Sequence, residues 1–183
     1  MTLYFERLSN ISVAMFFSGI RWKDFFRKSR ASRTSRASKN KKNMTINEIQ
    51  NEVIEEFQDL DDWMDRYHLL IDLGNDQAPL DEKYKTDSNL IDGCQSRVWL
   101  QADMNDGLLH LEAESDALIV KGIISLLIRV LSDQTPADIL TADLYFIEEI
   151  GLKEHLSPTR ANGLLAMIQR IKQHALMAES RKD

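Results

Sequence analysis

The chain has 183 residues and a single cysteine, so it forms no intramolecular disulfide and cannot by itself hold a cysteine-based zinc site or an iron–sulfur cluster. Its net charge of −6 divides into a basic segment, 1–43, with eleven Lys/Arg against two Asp/Glu, and an acidic segment, 44–183, with twelve against twenty-seven. The acidic segment should repel nucleic acid, and a chain with one free thiol fits a reducing, cytoplasmic location.

The basic segment is expected to lie outside the folded domain. Residues 27–42 are rich in Ser, Arg and Lys and contain no large apolar side chain, so we expect disorder. The apolar run 13–20 is followed by Arg21 and not by the small residues of a signal-peptide cleavage site. A dispensable extension before a functional start at Met44 is the favoured interpretation, and an organelle transit peptide remains an alternative. The folded domain is then expected to span 44–183.

Two helices are predicted after Met44. Thr45 and Glu48 have the spacing of a capping box, which predicts a helix that starts here and runs to about Phe57. A second helix is predicted to follow it and to end at Gly74, because glycine commonly terminates helices. Residues 75–88 are polar and are predicted to form a loop.

The next segment is predicted to form a β-hairpin. Apolar and polar side chains alternate over 97–104 and again over 109–113, and Asn105-Asp106-Gly107 between them is typical of a hairpin turn. Helices before and after such a hairpin predict an α+β fold, with the helices packed on one face of a small antiparallel sheet.

A central helix is predicted over 117–131, the longest apolar stretch of the chain. It is interrupted by Lys121 and Arg129 and is shorter than the roughly 20 residues of a membrane span, so no membrane segment is expected. Further helical regions are predicted to start at Thr135-Pro136 and at Ser157-Pro158, because proline is favoured in the first turn of a helix.

Cys94 is the residue with the clearest chemical potential. It lies between Gly93 and Gln95-Ser96, just before the first strand, where glycine lets the backbone turn and present a thiol to a partner. The four histidines are scattered over unlike elements, which disfavours a cysteine hydrolase, and a dithiol oxidoreductase needs a second cysteine. One thiol suffices for stoichiometric sulfur chemistry, in which a thiolate attacks the outer sulfur of a persulfide on another protein.

The sequence around Cys94 resembles the SufE family. The motif DGCQS at 92–96, followed by Val98-Trp99, is similar to the sulfur-accepting loop of that family. Three other blocks resemble blocks of that family and occur in the same order, at 67–74, 115–122 and 151–164. The resemblance as a whole covers residues 46–178.

The resemblance implies both a fold and a function. The fold would be the one shared with IscU scaffold proteins. Cys94 would receive persulfide sulfur from a SufS-type cysteine desulfurase, stimulate that enzyme, and relay sulfur to an iron–sulfur scaffold. Pyridoxal phosphate would belong to the desulfurase, so this chain is expected to need no cofactor and no metal and not to be an enzyme alone. A regulatory partner that carries no sulfur, and a cysteine hydrolase with a histidine near Cys94, remain alternatives.

Several neighbours of Cys94 are candidates for supporting roles. Arg97 is expected to lower the pKa of the Cys94 thiol and Asp92 to raise it. Asp116 would either cap the central helix or contact the partner. Arg160 lies in a first helical turn, where a cation opposes the helix dipole, which favours a functional use. The full set of candidate supporting residues is Asp92, Gly93, Gln95, Ser96, Arg97, Asp116, Lys121 and Arg160.

Overall fold

The structure, a computed structural model, describes residues 44–60 and 62–181, so the predictions for residues 1–43 lie outside the described part. None of the helices in the described ranges is long and apolar enough to cross a membrane. The described elements, in chain order, are α1 (Ile46–Gln58), α2 (Trp63–Asp76), β1 (Val98–Asn105), β2 (Leu108–Ser115), α3 (Leu118–Leu131), α4 (Pro136–Thr141), α5 (Phe146–Glu149), α6 (Leu152–His155) and α7 (Pro158–Glu179).

Helix α1 starts at the predicted capping box. The Thr45 hydroxyl accepts a hydrogen bond from the Glu48 backbone N–H at 3.3 Å, and the Thr45 N–H donates to the Glu48 carboxylate at 2.8 Å. Two of the backbone N–H groups that the helix start leaves without an intrahelical partner are therefore satisfied. One face of α1 is buried, and the predicted end near Phe57 is confirmed to within one residue; the buried side chains are Ile46, Ile49, Gln50, Val53 and Phe57.

Helices α2 and α3 touch backbone to backbone. Gly74 lies inside α2, which continues to Asp76, so the prediction that Gly74 ends the helix is wrong. A methyl group on Gly74 would lie 2.8 Å from the Gly122 nitrogen, and one on Gly122 would collide with the Leu70 carbonyl oxygen. Each helix therefore needs a glycine at the crossing, and this requirement replaces the capping role that the sequence suggested.

The two strands form an antiparallel hairpin that pairs Val98 with Ser115 at one end and Asn105 with Leu108 at the other. Asp106 and Gly107 both have positive φ, 51° and 82°, as a two-residue primed turn requires. One face of the sheet is buried, and α3 packs on it, so the predicted α+β architecture is confirmed. The buried side chains of this face are Val98, Leu100, Leu109, Leu111, Ala113 and Ser115.

Residues 77–90, here called the strap, run from α2 across both strands. The prediction of a plain loop over 75–88 is wrong in part, because α2 extends to residue 76 and the strap contains two short 3-10 turns. Glu114 of β2 accepts from the Leu80 N–H at 3.0 Å and pairs with Lys85 at 3.1 Å. Asn89 donates to the Gln101 side chain of β1 at 3.0 Å. The strap is thus fixed to the sheet on its way to Cys94.

Replacing Gly122 with Ala should destabilise the protein. In a solvent-exposed helix, a change from Gly to Ala raises the free energy of unfolding by about 1 kcal/mol. Here the collision at the α2–α3 crossing should reverse the sign and lower it by about 1–3 kcal/mol. Urea unfolding checks this, with Gln169→Ala on the exposed face of α7 as the control. Equal or higher stability for Gly122→Ala would contradict the close crossing.

Candidate functional site

Cys94 lies in a short loop, residues 92–97, here called the Cys loop. Its base is closed by a hydrogen bond of 2.8 Å from the Ile91 N–H to the Val98 carbonyl, and by an antiparallel bridge between Leu90 and Trp99. Gly93 has φ +87°, a conformation that side-chain-bearing residues rarely adopt. The turn that the sequence predicted before Cys94 is therefore present, and glycine makes it possible.

The Cys loop rests on the first turns of α7. The half-buried Cys94 thiol lies 3.6 Å from the Gly163 carbonyl oxygen, to which it donates a weak hydrogen bond. A methyl group on Gly163 would lie 3.5 Å from the Cys94 sulfur, and one on Gly93 would lie 3.6 Å from the Ala166 methyl. The loop and the helix are therefore in ordinary van der Waals contact, and the thiol rests partly sheltered between them.

A cavity of about 330 Å³ opens beside the Cys94 sulfur, between the Cys loop and the starts of α3 and α7. Its inner wall is apolar and comes from buried side chains of both helices; these are Val120, Ile123 and Met167. Leu118, Thr159 and Arg160 are exposed and form its mouth. A second cavity of about 140 Å³ lies within the loop, and Cys94 borders both. The thiol therefore has free space around it although it is partly covered.

Burial raises the pKa of the Cys94 thiol. The prediction that Arg97 lowers this pKa is wrong, and Asp92 contributes nothing to it, because desolvation is its only cause. The Arg97 guanidinium lies 3.6 Å from the Asp116 carboxylate and 5.4 Å from the centre of the Trp99 ring. Because burial disfavours the charged thiolate, the closed loop favours the protonated form of Cys94.

Asp116 holds the strand-side end of the Cys loop. Its carboxylate accepts from the Arg97 N–H at 3.0 Å, and its own N–H donates to the Arg97 carbonyl at 3.3 Å. Helix α3 starts at Leu118 with Ala117 as its N-cap residue and no side-chain cap, so the interpretation of Asp116 as a helix cap is wrong. Asp116 instead ties the start of α3 to the end of the loop.

All of the other predicted site residues except Lys121 lie near Cys94. Lys121 lies outside both cavities, and its ammonium is 3.8 Å from the Glu114 carboxylate. It belongs to the cluster that fixes the strap, and a supporting role in partner binding stays a prediction. Arg160 is exposed at the cavity mouth and has no hydrogen-bond or ion-pair partner among the described residues. Asp92, Gly93, Gln95 and Ser96 all lie in the Cys loop, and Gln95 and Ser96 border both cavities.

No histidine in the described ranges lies beside Cys94. His110 pairs with Asp133 at 2.8 Å, and His155 stacks on Trp63 with ring centres 3.7 Å apart. His68 is exposed, and His174 is half-buried. Burial, and to a smaller extent the nearby Arg170 charge, lowers the pKa of His174. None of the four borders a cavity at Cys94, which removes the hydrolase alternative. The described residues also contain no group of three His, Cys, Asp or Glu side chains suited to a metal.

Sequence reasoning missed Gly163 and Met167 as parts of the site. Glycine costs about 1 kcal/mol relative to alanine inside a helix. A glycine six residues into α7 is therefore a local signal of a close approach, although it does not say what approaches. Met167, one turn further on, carries no such signal, because methionine is common in any core.

These features define an α+β protein that shelters one cysteine between the starts of two helices. The SufE family model, described as an Fe-S metabolism associated domain, matches residues 51–175. An uncharacterized SufE-like protein of Rhizobium meliloti is 42% identical over 130 residues, which cover 68% of this chain and 93% of that protein. Another from Rhizobium etli is 37% identical over 130 residues, with 68% and 88% covered. The chain therefore belongs to the SufE family, whose domain is associated with iron–sulfur metabolism.

A solved structure supports the fold. The solution structure of a hypothetical protein from Thermus thermophilus matches with a TM-score of 0.61 and 23% sequence identity, and the match covers 72% of this chain and 96% of that one. At this identity the likeness bears on the fold alone, and it agrees with the α+β arrangement described above.

The pH dependence of Cys94 alkylation should show the raised pKa. We expect the midpoint for iodoacetamide labelling to lie higher in the folded protein than in the same protein unfolded in urea. The unfolded thiol ionises first, at about pH 8.5, so the stability that the buried thiol contributes is present below that pH. It is lost as the pH rises through the higher folded-state pKa. The free energy of unfolding should therefore fall more steeply above about pH 8.5 for the wild type than for Cys94→Ser. Coincident midpoints would contradict the sheltered thiol.

Removing the Asp116 carboxylate should open the Cys loop. Asp116→Ala loses the bond to the Arg97 N–H, worth about 1 kcal/mol, so Cys94 should be alkylated roughly fivefold faster at fixed pH. The rate is followed by mass spectrometry. Glu148→Ala, which breaks the exposed pair with Lys153, is the control and should leave the rate unchanged. An unchanged rate in Asp116→Ala would show that Asp116 does not restrain the loop.

Proposed function

We propose that this protein accepts persulfide sulfur on Cys94 from a SufS-type cysteine desulfurase. The Cys94 thiolate attacks the outer sulfur of a persulfide on the partner's cysteine. A new S–S bond forms at Cys94, the bond between the partner's two sulfurs breaks, and the partner's cysteine leaves as a thiolate. The transfer needs one cysteine on each protein and no oxidant or cofactor on this chain, which agrees with Cys94 being its single cysteine.

The observation that carries the proposal is the cavity beside the Cys94 sulfur. Its volume of about 330 Å³ leaves room for one more sulfur atom, and its inner wall is apolar. The inner wall would shield one side of a persulfide in this space from water and from small thiols that would reduce it. An inert core cysteine, the common alternative for a lone thiol, would be packed on all sides without such a space.

The transfer also requires the Cys loop to move. In the closed loop, burial raises the pKa of the Cys94 thiol, whereas the attack needs the thiolate. At the cavity mouth the Arg160 guanidinium and the uncapped start of α3 favour a negative sulfur. We infer that docking of the desulfurase draws Cys94 from the closed loop toward this mouth, and that the low reactivity before docking protects the thiol.

The exposed residues around the mouth are the proposed contact surface for the desulfurase. Leu118 is 60% exposed there and offers an apolar contact, and Arg160 lines the same mouth. Asp92, Gln95 and Arg97 add exposed polar groups from the Cys loop. By taking sulfur from the desulfurase, the protein would free that enzyme for another cycle and so stimulate it, and it would pass the sulfur to an iron–sulfur scaffold.

The domain proposed to carry this function is residues 44–183, preceded by the basic segment 1–43. Because the acceptor must be a free thiol, we place it in the reducing cytoplasm. We assign no cofactor to this chain; pyridoxal phosphate would belong to the desulfurase.

Replacing Cys94 with Ser should abolish sulfur acceptance and leave the fold intact. After incubation with a SufS-type desulfurase and cysteine, intact-mass spectrometry should show one added sulfur atom on the wild type and none on Cys94→Ser. The urea midpoints of the two proteins at neutral pH should agree closely, because a thiol and a hydroxyl differ little in size. A wild-type mass that stays unchanged, while the desulfurase itself carries persulfide, would contradict the acceptor role.

The same variants test the alternative of a regulatory partner that carries no sulfur. That role predicts that Cys94→Ala still stimulates release of sulfide from cysteine by the desulfurase. The acceptor role predicts that stimulation falls to the level of the desulfurase alone. A wild-type mass gain together with full stimulation by Cys94→Ala would show that sulfur transfer and stimulation are separate functions.

A further inference from the structure

Helix α7 meets the chain leading to Cys94 at three successive points on one face. Gly163 faces the Cys94 sulfur, and Ala166 faces Gly93. One turn further on, the Arg170 guanidinium donates to the Ser88 carbonyl of the strap at 2.7 Å. The spacing of three and then four residues places these contacts on one side of the helix. The strap and the Cys loop therefore lie along α7 as one continuous segment.

The Arg170 contact is the strongest of the three. Cys94 gives only a weak sulfur–oxygen contact at 3.6 Å, and Ala166 gives only apolar contact with Gly93. The charge-assisted hydrogen bond from Arg170 is short and directional. The other hydrogen bonds of Asn89 and Leu90 go to β1 or stay within the strap, and among the described residues none goes to α7. The Arg170–Ser88 bond is thus what ties the entry of the loop to the helix that forms the cavity wall.

The surroundings of the Arg170 side chain indicate that its main role is the hydrogen bond to the Ser88 carbonyl. The side chain is half-buried, and no carboxylate pairs with it among the described residues, although residues 44–183 carry twenty-seven Asp/Glu. Its Nε atom is buried without a partner. An arginine that only served solubility or a surface ion pair would not be held in this way, because an unpaired buried donor costs free energy.

We propose that Arg170 is a positioning residue for Cys94, which holds the strap on α7 and thereby keeps the Cys loop closed over the cavity. The importance of this role rests on the proposed function, in which Cys94 is the reacting group. Without the Arg170 bond, the loop would be held to α7 only by the weak contacts at Gly163 and Ala166. The loop would open more often, and the Cys94 sulfur would spend more time in water.

The test uses three variants of α7 in the full chain, with a fourth in reserve. Arg170→Met removes the bond to Ser88 and keeps the apolar stem, and Arg170→Lys restores a cationic donor. Lys172→Met is the matched control, because Lys172 donates in the same way to the Leu140 and Ala142 carbonyls, each at 3.2 Å, away from the Cys loop. Arg170→Gln, whose amide is too short to reach Ser88, serves if the methionine variant does not fold.

The readout is alkylation of Cys94 by iodoacetamide as a function of pH, beside the urea midpoint of each variant. We expect Arg170→Met to react about tenfold faster at pH 7, with the pH midpoint shifted down toward that of a free thiol. Arg170→Lys should recover most of the wild-type profile, and Lys172→Met should change only stability. A purely structural role would move the urea midpoint without moving the pH midpoint.

An unchanged alkylation profile in Arg170→Met, or an equal change in Lys172→Met, would overturn the proposal. The experiment contains no desulfurase, so its result is independent of whether Cys94 accepts sulfur. If Cys94 takes no sulfur but Arg170→Met exposes it, the proposed function fails and the positioning role stands. If Cys94 takes sulfur but Arg170→Met leaves its alkylation unchanged, only the positioning role of Arg170 is rejected.

Discussion

The contact between the Cys94 sulfur and the Gly163 carbonyl is the constraint on which the rest of the site depends. It exists because Gly93 permits the turn that brings the thiol to α7, where a methyl group on Gly163 would be in ordinary van der Waals contact with the sulfur. At this distance the loop covers the sulfur, burial raises the pKa of the thiol, and an apolar cavity remains beside it. Shelter, low resting reactivity and room for a second sulfur atom are consequences of one close approach between a loop and a helix.

A sheltered thiol can react with another protein only if its cover can move. The scaffold beneath the loop is rigid: α2 and α3 meet at a pair of glycines, and Glu114 fixes the strap to the sheet. The restraints on the loop itself are weaker and nearer the surface, namely the Asp116–Arg97 pair and, as we propose, the Arg170–Ser88 bond. Such contacts contribute about 1 kcal/mol each, which a docking partner can readily offset. The site thus combines a fixed cavity with a loop that opens at small cost.

Sequence patterns predicted the elements well where the determinants are local. The capping box at Thr45, the hairpin turn at Asp106-Gly107 and the turn before Cys94 all depend on neighbouring residues, and all are confirmed. Gly74 was assigned wrongly because a glycine that ends a helix and one that admits a second helix look alike in sequence. The electrostatic roles of Arg97 and Lys121 could not be read from local sequence because their carboxylate partners, Asp116 and Glu114, lie in other segments. The cavity escaped prediction because three segments that are distant in the chain build it.

The persulfide form of the protein offers the most direct test of the sheltered-acceptor site. A high-resolution crystal structure after loading by a desulfurase would show where the added sulfur lies. We expect it bonded to Cys94 and directed into the cavity, in contact with the apolar side chains of Ile123 and Met167, with the Cys loop closed. An added sulfur that points into solvent, or a loaded protein in which the cavity has collapsed around an unmodified Cys94, would contradict this site.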